Sequence, residues 1–279
     1  MQTMKKVIGI DLGGTKVHAG VVDNQGKILA EVKAPTELSG GWPRLKKQLV
    51  AICRDLQKSH KGISGIGIGS AGPLHAPSGR LLDPTNFGWT KPLTVKITSE
   101  LSKALKIPVN LENDAAAAVL AEHWKGGATD NSVVLTLGTG LGMGVIANGK
   151  LLRGGRELHS EGGHLLLRPG DSSAPCGCGN FGCAEAYLSG MNFTSRAAAA
   201  LGQAQLTTLE VISLAQSGNC VAQACFQEYS QLLAAYLNNM VVLFYPEKVI
   251  LTGSFANAHE NFLPNAEKIL HSLLHRRLK

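Results

Sequence analysis

No run of eighteen apolar residues occurs in this chain, so no segment reads as a membrane-spanning helix. Met1-Gln-Thr-Met-Lys-Lys6 leads straight into a short apolar segment ending at Asp11. That is too brief for the apolar core of an export signal, and no cleavage site follows, so a cytoplasmic location is expected. No low-complexity linker interrupts the sequence. Charged residues make up only 17% against 44% apolar, which excludes a disordered, highly charged chain. What remains is a globular protein of 279 residues, long enough for two domains with ordinary cores.

The net charge of +7 comes from 27 basic and 20 acidic side chains. The basic residues are scattered, and only His271–Lys279 forms a cluster, so no nucleic-acid partner is expected. A modest positive field suits a protein that binds polyphosphate. Without an export signal, the six cysteines are poorly explained as disulfides. Cys53, Cys220 and Cys225 lie in helix-like segments and read as ordinary buried thiols.

Strands are expected at residues 7–11, 16–22 and 27–32, then a helix over 42–58 and a buried strand at 63–68. A helix over 93–105, a strand at 109–111 and a helix from about Asn113 to Trp124 follow, with Asn113 or Asp114 as its N-cap. Residues 133–137 and 144–147 repeat the pattern of strand, glycine-rich turn and strand seen at 7–22, a hint of internal duplication. Asn148-Gly149 marks a hairpin turn. Beyond residue 183 the chain reads as helical apart from a strand at 248–251. The domain boundary is placed near Glu112, giving domains 1–112 and 113–279.

Two glycine loops carry the first chemical signal. In Asp11-Leu-Gly13-Gly14-Thr15-Lys16, the glycines let backbone N–H groups converge on an anion. Thr15 adds a hydroxyl, Lys16 a charge, and Asp11 a carboxylate suited to Mg²⁺ through water. Gly138-Thr139-Gly140-Leu-Gly142 is the second loop. Neither has P-loop spacing or the dinucleotide fingerprint. Two such turns in two halves of one chain suit a nucleotide bound between two domains. Glu112-Asn113-Asp114 lies where a strand meets a helix. Local sequence favours a simple cap there, with a general base as the competing reading.

The strongest single signal is His164 with Cys176, Cys178 and Cys183. Three cysteines within eight residues, interleaved with glycines, and one histidine suit a tetrahedral Cys₃His zinc site. Four protein ligands leave no open position for a catalytic water, and His-Glu-x-x-His is absent, so the zinc reads as structural.

Taken together, these motifs resemble the ROK (repressor, open reading frame, kinase) family of sugar kinases. Asp11–Lys16 is similar to its first phosphate loop, Leu111–Ala118 to its sugar and base motif, and Leu135–Gly142 to its second phosphate loop. Glu161-Gly-Gly-His164 with Cys176–Glu185 is similar to its zinc and sugar signature. The resemblance runs from about Val7 to Gly190 and weakens beyond.

It implies an α/β protein of two RNase H-like domains of the actin-like ATPase/hexokinase type, with a zinc-binding loop. It implies Asp114 as general base toward a sugar 6-hydroxyl, which reverses the local preference for a cap. Asn86, Asn113, Asp114, Glu161, His164 and Glu185 become sugar contacts, supplying the donors and acceptors a ring of hydroxyls needs. His164 would bind zinc through one ring nitrogen and present the other to the sugar. Asp11, Gly13, Gly14, Thr15, Lys16, Gly138, Thr139, Gly140 and Gly253 become nucleotide contacts, and ATP, Mg²⁺ and Zn²⁺ the cofactors.

The sequence departs from the family at Ser160, where Gly is usual, at Gly162, where an apolar residue is usual, and at Met143, where Gly is usual. Leu251-Thr-Gly253-Ser254-Phe255 replaces a Gly-Gly run near adenosine. The family usually continues past the position of Lys279 with a small-residue-rich helix, and its absence is expected to weaken stability or closure.

The expected function is an ATP-dependent hexose 6-kinase acting on glucose. A kinase for N-acetylglucosamine or N-acetylmannosamine is the alternative, and a catalytically weak sugar-binding protein a further one. A repressor is disfavoured because few residues precede Val7. The expected partners are the sugar and ATP, with no nucleic acid and no membrane, and a homodimer is the assembly the family allows.

Overall fold

The computed structural model describes residues 5–89 and 93–275. Residues 1–4 of the lead-in and 276–279 of the basic cluster lie outside the described residues. The chain divides into two compact units, Met1–Ala117 with Arg153–His159, and Ala118–Leu152 with Ser160–Lys279. The division falls slightly beyond Glu112. A Cβ placed on Gly69 would lie 3.5 Å from the Ala117 methyl, so the first turn of the helix after Glu112 packs on the first sheet.

In the first unit, β1 (Lys6–Leu12), β2 (Lys16–Asp23) and β3 (Ile28–Pro35) form an antiparallel meander. After α1 (Gly41–Ser59), β4 (Ile63–Ser70) pairs parallel with β1. Three short strands, β5 (Leu74–His75), β6 (Arg80–Leu82) and β7 (Thr94–Val95), make a small separate sheet. α2 (Ile97–Leu105) leads to β8 (Val109–Asn113), which is parallel to β4 and runs into α3 (Asp114–Lys125). The main sheet order is β3-β2-β1-β4-β8.

α1 buries Leu45, Leu49, Cys53 and Leu56, and α2 buries Ile97, Leu101 and Leu105. These spacings put one apolar stripe of each helix in the core with Ile8, Ile10, Ile66 and Ile68 of the sheet. The helix expected over 93–105 begins only at Ile97, because Val95 pairs with Leu81 in the small sheet.

In the second unit, β9 (Ser132–Leu137), β10 (Leu141–Ala147) and β11 (Lys150–Leu151) are antiparallel. The one-turn α4 (Glu185–Leu188) precedes α5 (Gly190–Ala200), α6 (Thr208–Gln216) and the long α7 (Cys220–Phe244). β12 (Lys248–Thr252) pairs parallel with β9, and α8 (Leu263–Leu273) follows. The order β11-β10-β9-β12 repeats the antiparallel triplet and parallel fourth strand of the first unit. Asn148 (φ 50°) and Gly149 (φ 72°) make the expected hairpin turn between β10 and β11. Phe193, Phe226, Tyr229, Phe255 and Phe262 pack as an aromatic cluster in this unit's core. Cys53 is buried and Cys225 half-buried, but Cys220 is exposed. It opens α7 beside the cap Asn219, where the side chain projects outward, so it is not the buried thiol expected.

Candidate active site

β1, β4 and β8 are mutually parallel and end together, with Asp11 opposite Gly69, and Ser70 opposite Asn113. Ligand crevices in open α/β sheets lie at such carboxyl ends. The β1–β2 turn is closed by the Gly13 N–H donating to the Lys16 carbonyl at 3.0 Å. Thr36 braces it from β3's end: its hydroxyl donates to the Gly13 carbonyl at 2.7 Å and its N–H to the Thr15 carbonyl at 3.0 Å. Asp11, Thr15 and Lys16 are exposed there. A Cβ on Gly14 would lie 2.4 Å from the Asn86 carbonyl oxygen, so only glycine lets these two segments meet. Thus Asn86, distant in sequence, is brought against the first glycine loop.

At the β8–α3 junction the Asn113 side chain accepts from the N–H groups of Ala115 (3.0 Å) and Ala116 (3.1 Å). It is buried and forms the cap. Asp114 is exposed, and its Oδ1 accepts from the Ala115 N–H at 2.8 Å. Glu112 folds back to accept from the Asn113 N–H at 2.9 Å and pairs closely with Arg153. Arg153 lies forty-one positions away in the chain, and no local sequence signal marks it as a partner.

In the second unit, the Gly138 N–H donates to the Gly140 carbonyl, and the Gly190 N–H donates to Gly138 at 2.8 Å. Gly253 has φ 93°, and a Cβ there would strike the Leu137 carbonyl at 2.4 Å. Gly253 therefore lies against the end of β9, where the second glycine loop starts. Glu185 also meets this loop: its Oε2 accepts from the Leu141 N–H at 3.0 Å. Thr139 is exposed at the loop's tip.

The side-chain donor atoms of His164, Cys176, Cys178 and Cys183 all lie within 4.8 Å of one another. The Cys178 and Cys183 sulfurs are 3.6 Å apart, and Cys176 Sγ is 3.4 Å from His164 Nδ1. Corners of a tetrahedron with metal–sulfur bonds of about 2.3 Å are about 3.8 Å apart, so the set fits a zinc ion. Burial pushes the Cys183 thiol up to about 12, while the Asn180 N–H holds Cys178 down. A bound cation would reverse the first effect by favouring thiolate. With His164 Nδ1 turned to the thiols, Nε2 faces Glu161 Oε2 at 3.8 Å.

Two of the sequence departures meet physically. A Cβ on Gly162 would lie 2.7 Å from Met143 Sδ and 2.7 Å from the Tyr236 hydroxyl. The Met143 side chain occupies the space that any side chain at 162 would fill. The site residues divide between the units: Asp11, Gly13, Gly14, Thr15, Lys16, Asn86, Asn113 and Asp114 in the first, and Gly138, Thr139, Gly140, Glu161, His164, Glu185, Gly253 and the cysteines in the second.

Two α/β units that share an antiparallel triplet and a parallel fourth strand, glycine turns after their first strands and a Cys₃His cluster define the architecture. The ROK family profile matches residues 7–279. The chain is 34% identical to a glucokinase of Streptomyces coelicolor, covering 91% of this chain and 83% of the relative. It is 33% identical to an N-acetyl-D-glucosamine kinase of Pectobacterium atrosepticum, covering 90% and 84%. The crystal structure of a ROK family glucokinase from Streptomyces griseus, in complex with glucose and AMPPNP, superposes with a TM-score of 0.77 at 30% identity, over 98% of this chain and 91% of that one. The chain belongs to the ROK family.

Proposed function

We propose that this protein is an ATP- and Mg²⁺-dependent kinase of the hexose 6-hydroxyl, with glucose as substrate. The observation that carries the reading is the division of labour at the β8–α3 junction: Asn113 makes the cap, so Asp114 is not needed for it. On this reading Asp114 takes the proton of the 6-hydroxyl as its oxygen attacks the γ-phosphorus, and ADP leaves. The turns at Gly13–Lys16 and Gly138–Gly140 hold the phosphates through backbone N–H groups, with Lys16 adding charge and Asp11 holding Mg²⁺ through water. Gly253 admits the adenosine part.

Asn86, Asn113, Glu161, His164 and Glu185 bind the sugar hydroxyls. Zinc on His164, Cys176, Cys178 and Cys183 supplies a structural cross-link that fixes the histidine's tautomer and aim. The repeated sheet order supports reading both units as RNase H-like domains of the actin-like ATPase and hexokinase type. The six unpaired cysteines suit a reducing cytoplasm. No helix among the described residues is long and apolar enough to cross a membrane.

The N-acetyl-D-glucosamine kinase relative, at similar identity, supports a 2-acetamido hexose as the second reading. An ADP-release assay with glucose, mannose, fructose, N-acetylglucosamine and N-acetylmannosamine decides between them. The largest kcat/KM is expected for glucose. Measurable sugar binding without sugar-dependent ADP release would instead identify a catalytically weak sugar-binding protein.

A further inference from the structure

The one-turn helix α4 carries Glu185 and has no stability of its own, since a single turn does not offset its nucleation cost. Its placement must come from tertiary contacts, and it is held on two sides. On one side Glu185 Oε2 accepts from the Leu141 N–H. Two residues on, Tyr187 projects from a different side of the turn. Its ring is buried, with Arg196 at 4.7 Å and Arg168 at 5.4 Å from the centroid. Both guanidiniums bond one carboxylate, Glu228 of α7, at 3.2 and 2.7 Å.

The Tyr187 hydroxyl donates to Asp171 Oδ2 at 2.6 Å. Asp171 Oδ1 in turn accepts from the N–H (3.0 Å) and hydroxyl (2.6 Å) of Ser173. Arg168, Asp171 and Ser173 all belong to the loop that bears the cysteines, so Tyr187 ties that loop to α4, α5 and α7.

We propose that Tyr187 is a positioning residue for Glu185, held by the Asp171 carboxylate and by the Arg168–Glu228–Arg196 cluster. Rotation of the short turn would swing both side chains together, so fixing the tyrosine fixes the direction of the glutamate. The inference rests on the reading of Glu185 as a sugar ligand. It adds five residues, Arg168, Asp171, Tyr187, Arg196 and Glu228, that none of the sequence motifs assigned.

The test uses the zinc-loaded full chain. Tyr187→Phe keeps the ring against the guanidiniums and removes only the hydroxyl. Its sugar KM is expected to rise about tenfold, with kcat and the ATP KM within about twofold of wild type, as for a lost ground-state interaction. Asp171→Ala should do the same, and the double variant should add little to either. Asp171→Asn keeps an acceptor and should restore near-normal sugar KM. A sugar KM for Tyr187→Phe within twofold of wild type overturns the proposal. So does a parallel fall in kcat with a rise in ATP KM, which marks general loosening. Should Tyr187→Phe fold poorly, Asp171→Ala and its Asn rescue carry the test. Glu185→Gln is measured alongside: an unchanged sugar KM there overturns both the ligand assignment and the inference. A raised KM there, with Tyr187→Phe unaffected, overturns the inference alone.

Discussion

Met143 and Gly162 provide the sharpest physical test of the second unit. Met143 is 5% exposed and Tyr236 is fully buried, so the space above Gly162 is filled by well-packed atoms. In Gly162→Ala the new methyl would sit 2.7 Å from Met143 Sδ, 2.8 Å from its Cε and 2.7 Å from the Tyr236 hydroxyl. The Tyr236 hydroxyl lies 3.7 Å from Met143 Sδ, so it can give way only into the space that Met143 fills. Overpacking of this kind costs about 1–3 kcal/mol. Met143→Ala alone leaves a cavity and costs about 2–5 kcal/mol. In the double variant the alanine methyl enters the vacated space, so the two costs should fall short of their sum by at least about 1 kcal/mol.

Thermal unfolding followed by circular dichroism, at one fixed zinc concentration, reads each effect as about 2–4 °C per kcal/mol for a chain of this size. Additive losses, or a neutral Gly162→Ala, would refute the reasoning. Met143 and Gly162 would then share no packing constraint.

Asp114→Asn should fold with wild-type stability, because Asn113 keeps the cap, yet lose roughly 10²–10⁴-fold in kcat by the general-base reading; retention of wild-type kcat removes Asp114 from the mechanism. Chelation of zinc should lower the unfolding temperature and raise the sugar KM together, and excess Zn²⁺ should restore both; unchanged values after metal analysis shows the zinc gone would refute a structural zinc. Hydrogen bonds from Ser173 and Tyr187 hold the Asp171 carboxyl at about 2, below its usual 3.8. The stability it lends is therefore complete above roughly pH 5 and disappears as the pH falls toward 2. The difference in unfolding temperature between wild type and Asp171→Asn should close over that interval, and a pH-independent difference would contradict the assignment.

Much of the candidate site was legible because its chemistry is local. A glycine loop needs neighbouring residues of given type, and Cys176, Cys178 and Cys183 lie within one turn-rich segment, so spacing alone proposed the zinc set. Strand and helix periods likewise followed from apolar spacing, as in α1 with Leu45, Leu49 and Leu56. Where short-range pattern competed with long-range pairing, sequence reading failed: residues 94–95 extend the helical pattern but pair with β6 instead.

Sequence by itself singled out the candidate side chains for the chemistry and the backbone freedom of the turns that surround them. Only the tertiary structure decided which of Asn113 and Asp114 is the cap, because that depends on hydrogen-bond geometry rather than residue type. Only it joined Glu112 to Arg153, Gly14 to Asn86, Met143 to Gly162, and Tyr187 to Asp171, Arg168 and Arg196. Each of these contacts joins residues nine or more positions apart, with no periodic relation. Their meeting is set by how strands and loops pack, which no local pattern encodes.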